Sequence, residues 1–130
     1  MSNIKYKILI VDDDKFLLEM YKLKFDKNGH EVTMVTIAAD ALSKLKDGLV
    51  PDIILVDIVL PGMDGLQLLE VIRKDKICPN AIIVMLTNQG GKEEIEKAKS
   101  LKVDGYLVKA ALVPSEVVEK VLKIVEKNKK

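Results

Sequence analysis

Several features that mark particular classes of protein are scarce in this sequence. Its 130 residues contain a single cysteine, Cys78, which excludes an internal disulfide and a cysteine-based metal site. Tryptophan is absent and only 4% of the residues are aromatic, so a base-stacking surface for nucleic acid is not expected. The 21 basic residues nearly balance the 20 acidic ones. The resulting net charge of +1 provides no general attraction to nucleic acid or anionic lipid.

Long hydrophobic runs are also missing. The most apolar stretches are 53–60, which Asp57 interrupts, and 81–86, and both are far shorter than the ~20 residues that span a bilayer. The first seven residues contain no apolar stretch of signal-peptide length. We therefore expect a cytoplasmic protein that makes no membrane contact.

The sequence instead shows short apolar runs that alternate with longer segments of helical periodicity. Continuously apolar strands predict a sheet buried on both faces, and their alternation with helices predicts that the strands are parallel. We therefore expect an α/β fold, a three-layer α/β/α sandwich, with residues 1–130 forming one domain. The predicted strands are 8–11, 31–35, 52–57, 81–86 and 105–108, and helices are predicted near 15–28, 38–47, 66–73, 93–101 and from Pro114 onward.

Polar side chains follow four of the predicted strands. Asp12 and Asp13 follow the first, Asp57 ends the third, and Thr87 and Lys109 follow the fourth and fifth. Ligands of open parallel sheets bind beyond the carboxyl ends of the strands, so these side chains are expected to converge. Two carboxylates about 4 Å apart repel by roughly 4 kcal/mol at a surface-like dielectric, which a cation would relieve. Hard oxygen donors favour Mg²⁺, Mn²⁺ or Ca²⁺.

Such a cluster suits phosphoryl chemistry. A magnesium site beside a lysine and a hydroxyl group matches the oxygens of a phosphoryl group, and a carboxylate can serve as the nucleophile. Asp57, alone at the centre of the edge, is the candidate nucleophile. The simpler explanation, that strand-end aspartates cap the following helices, is preferred for Asp14 and Asp64. It does not account for Lys109 opposite three acids.

These residues lie in motifs that resemble the receiver domain of two-component response regulators, of the chemotaxis-receiver type. The motifs are 8–14, Asp57 with 60–65, 85–87 and 104–109, and they occur in order across nearly the whole chain. The resemblance implies a flavodoxin-like sheet of strand order 2-1-3-4-5. It also implies a phosphorelay signalling domain, which is not an enzyme acting on a separate substrate.

The resemblance implies roles for the clustered residues. Asp57 would be the phosphoacceptor, receiving its phosphoryl group from a sensor histidine kinase or a phosphotransfer protein. Asp13, Asp57 and the backbone carbonyl of Val59 would bind Mg²⁺, with Asp12 acting mainly through bound water. Lys109 would pair first with the carboxylate and then with the phosphate.

The resemblance also implies how the signal leaves the site. Thr87 would move to contact the phosphate, near Asn88, and Tyr106 would follow it inward. This movement would change the face formed by the fourth helix, fifth strand and fifth helix. A downstream effector protein or output domain would bind that face, and phosphorylation-linked dimerisation is a further expectation. No direct nucleic-acid binding and no output domain within this chain are expected.

Three positions depart from the family pattern. Ala110 follows Lys109 where a proline after a cis bond is usual, and we expect the cis bond to be retained so that Lys109 reaches Asp57. Asn88 replaces a small residue and is expected to narrow access to the phosphate. Val59 offers no polar group to orient water, which predicts slow self-dephosphorylation.

Two other functions remain open. An aspartate-nucleophile phosphatase has a similar sheet, but a second acid is expected two residues after its nucleophile, where this chain has Val59. An unphosphorylated scaffold would be indicated by loss of Asp57, Thr87 or Lys109, and all three are present.

Minor features have simpler interpretations. We expect His30 to be an exposed loop histidine and Cys78 to be an incidental, partly buried thiol. The charged helix 93–101 is either a solvated surface or a signalling surface. Gly90-Gly91 is expected to form a flexible connection, and 127–130 a frayed helix end.

Overall fold

The computed structural model describes residues 4–88 and 91–128. Within this part of the chain, every strand and helix expected from the sequence is present. The strands are β1 (Lys7–Val11), β2 (Glu31–Val35), β3 (Ile53–Asp57), β4 (Ile82–Thr87) and β5 (Gly105–Val108). The α-helices are α1 (Lys15–Lys27), α2 (Ala38–Lys46), α3 (Gly65–Lys74), α4 (Lys92–Ser100) and α5 (Pro114–Asn128), and a 3-10 helix covers Lys109–Ala111.

All five strands are parallel and lie in the order β2-β1-β3-β4-β5, which confirms the flavodoxin-like arrangement. The register aligns Val11 with Val56, and Asp57 with Leu86. The residue after β1 and the last residue of β3 therefore stand side by side at the carboxyl edge of the sheet. This register places the predicted site residues at one edge.

Each face of the sheet is covered by a separate hydrophobic core. Successive side chains of a strand point to opposite faces, so an uninterrupted apolar strand supplies both cores. The core under α2, α3 and α4 includes Leu9, Ile54 and Ile83, and the core under α1 and α5 includes Ile10, Leu55 and Val84, all of which are fully buried.

Aspartates begin two of the helices, as predicted. The Asp14 carboxylate accepts a hydrogen bond from the Leu17 N–H and starts α1. Asp64 starts α3 in a reciprocal capping box with Gln67. These caps satisfy amide groups that have no partner inside the helix, and they fix where both helices begin beside the site.

The expectation that His30 is an exposed loop residue is wrong. His30 is 8% exposed, and its Nδ1 accepts a hydrogen bond of 3.0 Å from the Tyr6 N–H. Its ring stacks on Tyr6 and meets Phe25 edge-on. The Glu31 N–H bonds the Tyr6 carbonyl at 2.9 Å, and this pairing draws residue 30 against the segment that leads into β1.

Other expectations are met or lie outside the described residues. Cys78 is half-buried and packs beside the core under α2, α3 and α4, as expected for an incidental thiol. The described residues do not include Gly90 of the expected flexible connection or Lys129 and Lys130 of the expected frayed end. Among the helices of the described residues, none has both the length and the apolar character to span a membrane.

Candidate functional site

Three carboxylates meet at the carboxyl edge of the sheet. Asp12, Asp13 and Asp57 each place a carboxylate oxygen so that all three atoms lie within 4.8 Å of one another. Asp12 and Asp57 are buried, at 0% and 2% exposure, whereas Asp13 is exposed. The cluster therefore has a buried floor of two acids and a third acid at its opening.

Lys109 joins the two buried acids. Its Nζ lies 2.8 Å from Asp12 Oδ2 and 2.9 Å from Asp57 Oδ2, and the side chain is 6% exposed. The ammonium group donates a hydrogen bond to each carboxylate. The predicted convergence of these residues is thus present, with Asp12 as an additional partner of the lysine.

The expectation of a cis bond after Lys109 is wrong, because the Lys109–Ala110 peptide is trans. Val108 is extended, and the chain then turns through the short 3-10 helix, which the Leu112 N–H closes on the Lys109 carbonyl at 3.1 Å. This path carries the lysine side chain to Asp57 without the ~2.5–4 kcal/mol cost of a non-proline cis bond.

The charges in the cluster perturb one another. Burial alone would lower the pKa of Lys109, but its hydrogen bonds to Asp12 and Asp57 outweigh burial and raise the pKa. Burial raises the pKa of Asp12, against the opposing effect of Lys109. One ammonium group pairs with two of the three acids, so the cluster retains negative charge when the acids are ionised. An all-oxygen donor set of this charge fits a hard divalent cation such as Mg²⁺.

Backbone groups orient the buried carboxylates. Asp57 Oδ1 accepts a hydrogen bond of 3.2 Å from the Val59 N–H, and Asp12 Oδ1 accepts one of 2.9 Å from the Asp14 N–H. These bonds leave the second oxygen of each acid directed at Lys109. The acids are therefore held in place by their own loops before any ligand arrives.

The importance of Gly65 was not predicted from the sequence. At this residue the backbone of α3 passes close to the backbone of Asp57. A Cβ atom added to Gly65 would lie 2.1 Å from the Asp57 carbonyl oxygen. The Gly65 N–H also donates to the Ile58 carbonyl at 2.8 Å. A glycine at the first position of α3, directly after a good capping residue, was the available signal for this contact.

Tyr21 was also missed. This α1 residue is 1% exposed, and burial raises its pKa to about 12. The charge of Lys109 opposes this shift of the pKa, whereas the charges of Asp12 and Asp57 add to it. The helical spacing of Tyr21 predicts a core residue but does not indicate this electrostatic coupling.

The other predicted residues lie around the cluster. Thr87 is buried at the end of β4, and Asn88 and Val59 are exposed. Tyr106 packs against the core beside α4, and its hydroxyl is buried. Burial raises the pKa of that phenol, while its interaction with the neighbouring Thr87 side chain opposes the shift. Thr87 and Tyr106 therefore lie side by side, and the coupled movement expected of them stays a prediction.

Comparison with known proteins identifies the family. The sequence model of the response regulator receiver domain matches residues 8–122. The DNA-binding response regulator MtrA of Mycobacterium tuberculosis is 31% identical over 128 residues, which cover 98% of this chain and 54% of the relative. MtrA of Mycolicibacterium smegmatis gives the same values. The chain therefore spans about half the length of the curated relatives it matches.

Solved structures agree with this assignment. A CheY-like receiver domain protein from Methanospirillum hungatei has a TM-score of 0.84 at 29% identity, covering 95% of this chain and 96% of the other. A putative response regulator from Chloroflexus aurantiacus has a TM-score of 0.81 at 32% identity, covering 95% and 99%. The chain belongs to the response regulator receiver domain family. It is thus a signalling domain of two-component systems, with the acidic pocket at which such domains bind Mg²⁺.

Proposed function

We propose that this receiver is phosphorylated on Asp57 by a phosphohistidine of a sensor kinase or phosphotransfer protein. The observation that carries the proposal is the sharing of Lys109 between buried Asp57 and Asp12, with Asp13 open to solvent. An Asp57 oxygen attacks phosphorus, the P–O bond forms as the P–N bond breaks, and the released imidazole takes up a proton. The family match over 8–122 and the single described sheet support one receiver domain.

Mg²⁺ is the cofactor that the donor set supports. Asp13, Asp57 and the backbone carbonyl of Val59 would hold the ion, with Asp12 contributing through water. When bound, the ion supplies positive charge that offsets the phosphoryl oxygens. The shared lysine satisfies only part of the negative charge of the three acids, which supports a site for this cation.

The remaining residues act on the phosphoryl group after transfer. The Lys109 ammonium lies 2.9 Å from Asp57 and donates to a phosphoryl oxygen once the carboxylate is esterified. The Thr87 hydroxyl and the Asn88 amide donate further hydrogen bonds. These groups replace the water that would otherwise solvate the phosphoryl charge.

The switch runs from Thr87 to Tyr106 and changes the α4-β5-α5 face. Support comes from the position of the buried Tyr106 hydroxyl beside the Thr87 side chain. An effector protein or an output domain binds this face, and a phosphorylation-linked dimer would use it too. MtrA is named as a DNA-binding protein. The near-neutral charge of this chain supports action on an effector rather than on DNA directly.

Intact-mass spectrometry tests the proposal. The protein is incubated with Mg²⁺ and acetyl phosphate, beside Asp57→Asn and the control Asp47→Asn, which removes an exposed acid at the end of α2. We expect one phosphoryl adduct in the wild type and the control, and none in Asp57→Asn. An adduct that persists in Asp57→Asn would refute the assignment. No adduct with acetyl phosphate or phosphohistidine donors would favour a scaffold, and continued release of phosphate from an ester would favour a phosphatase.

The exposed Val59 side chain predicts a long-lived phosphorylated state. Val59 is 61% exposed beside Asp57 and has no polar group to orient an attacking water. Val59→Asn should accelerate loss of the adduct severalfold, because an amide can position water for attack. The decay is followed by intact mass, with Val59→Leu as the apolar control. Equal decay rates in all three proteins would contradict this explanation.

A further inference from the structure

Helix α4 is held on the protein mainly by its carboxyl-terminal end. Ala98 is its one fully buried residue among those described, whereas α3 buries Leu68, Leu69 and Ile72. The Lys97–Glu70 ion pair, at 3.3 Å, also joins α4 to α3, but both side chains are about half exposed. Exposed pairs of this kind contribute little. Packing therefore fixes α4 less firmly than its neighbour.

Arg73 of α3 provides a stronger attachment. Its Nε donates to the Leu101 carbonyl and its Nη2 to the Lys102 carbonyl, both at 2.9 Å. Leu101 is the C-terminal cap of α4, and Lys102 follows in the left-handed conformation, with φ of 61°. Carbonyls at the end of a helix have no partner within it, and a planar cation suits the negative end of the helix dipole.

Among the described residues, no side chain from another element bonds the amino-terminal end of α4 as Arg73 bonds its carboxyl-terminal end. The cap residue, Gly91, has no side chain that could cap the helix. That end lies only four residues after Thr87 in the sequence. A displacement that begins at Thr87 therefore reaches the less restrained end of the helix first.

We propose that Arg73 is a positioning residue that pins the carboxyl-terminal end of α4 to α3, so that phosphorylation tilts this helix about the pinned end. This inference rests on the proposed switch. The Arg73 guanidinium converts a local displacement at Thr87 into a rotation of the exposed α4 surface, while Leu101 and Lys102 stay in place.

Hydrogen exchange of the α4 amides tests whether Arg73 holds the carboxyl-terminal end of the helix in place. The exchange is measured with and without Mg²⁺ and beryllofluoride, which acts as the phosphoryl analogue. In the wild type we expect the analogue to change exchange in 92–96 and to leave 97–103 unchanged. In Arg73→Ala, exchange in 97–103 should rise about tenfold and should also respond to the analogue. Lys74→Ala, which removes the exposed neighbouring base, is the matched control and should behave like the wild type.

The outcomes distinguish a failure of the proposed Arg73 attachment from a failure of the proposed switch. A wild type whose two halves of α4 respond equally would overturn the pin, as would an Arg73→Ala protein that behaves like the wild type. A wild type with no response in either half would overturn the switch and, with it, the role of the pin. If Arg73→Ala fails to fold, Arg73→Lys retains the charge but loses the planar pair of donors, and it should show the same change in smaller measure.

Discussion

The two edges of the sheet use the same residue types in opposite ways. At the amino edge, Asp52 accepts a hydrogen bond of 2.8 Å from the Lys7 N–H, and Asp104 accepts one of 2.8 Å from the Ile83 N–H. Each of these acids satisfies a backbone amide where a strand starts. At the carboxyl edge, by contrast, the acids converge on one another and share a lysine.

The difference teaches that the partner, rather than the residue type, decides whether an aspartate is structural or functional. A carboxylate that bonds a strand amide has met an obligatory requirement of the backbone. Two buried carboxylates that share one ammonium group retain negative charge, which a bound ligand can offset. Substitutions at the two edges should therefore have different consequences, which four experiments can test.

The largest effect is expected from Lys109→Met at the carboxyl edge. It leaves Asp12 and Asp57 buried without a counter-charge, and we expect the free energy of unfolding to fall by about 3–5 kcal/mol. Saturating Mg²⁺ should recover part of the loss, because the cation replaces the missing charge. Urea denaturation with and without Mg²⁺ measures both effects. Lys97→Met, which breaks only the exposed pair with Glu70, should cost less than about 1 kcal/mol. Equal losses in the two variants would contradict this account.

Gly65→Ala should have the next largest effect, because the added Cβ would collide with the Asp57 backbone. We expect a loss of about 1–3 kcal/mol in unfolding free energy and slower phosphorylation of Asp57. Gly105→Ala is the control, because its added Cβ would meet a side chain and not the Asp57 backbone. The nearest atom, 2.5 Å away, is the flexible end of Ile124. Denaturation and the rate of adduct formation are measured together. An unchanged rate in Gly65→Ala would show that the contact does not position Asp57.

Asp104→Ala tests the amino edge. Loss of the acceptor leaves the Ile83 amide unpaired, and we expect a loss of about 1 kcal/mol in unfolding free energy. Phosphorylation of Asp57 should be unchanged, since Asp104 lies at the opposite edge. Asp47→Ala, at an exposed helix end, should affect neither quantity. Impaired phosphorylation in folded Asp104→Ala would contradict the different roles assigned to the acids at the two edges.

The smallest effect is expected from the pH dependence of His30. Burial lowers its pKa below the ordinary value of 6.5, so the unfolded chain takes up a proton that the folded chain resists. Its contribution to stability is therefore complete well above pH 6.5 and is lost as the pH falls from 6.5 toward the lower pKa of the folded state. His30→Asn retains an acceptor for Tyr6 but does not titrate. The loss of stability from about pH 7.5 to about pH 5.5 should be smaller in the variant, and equal losses would exclude His30 as the cause.

Much of the fold could be predicted from local pattern. The apolar runs of β1, β3 and β4 and the periodicity of α1 and α5 depend on residues close together in sequence. The placement of Asp12, Asp57 and Lys109 at one edge followed from the parallel arrangement of the strands. The caps at Asp14 and Asp64 were likewise predictable, because a cap acts within one helical turn.

The tertiary structure decided what depends on contacts between distant segments. The Lys109 bond to Asp12 spans 97 residues, and the His30 bond to Tyr6 spans 24. The packing of separate elements also decides the burial of His30, the trans peptide after Lys109 and the close approach of Gly65 to the Asp57 backbone. Periodicity reports only which side of its own element a residue faces. It contains no distances between elements, and those distances set the partners and charges of this site.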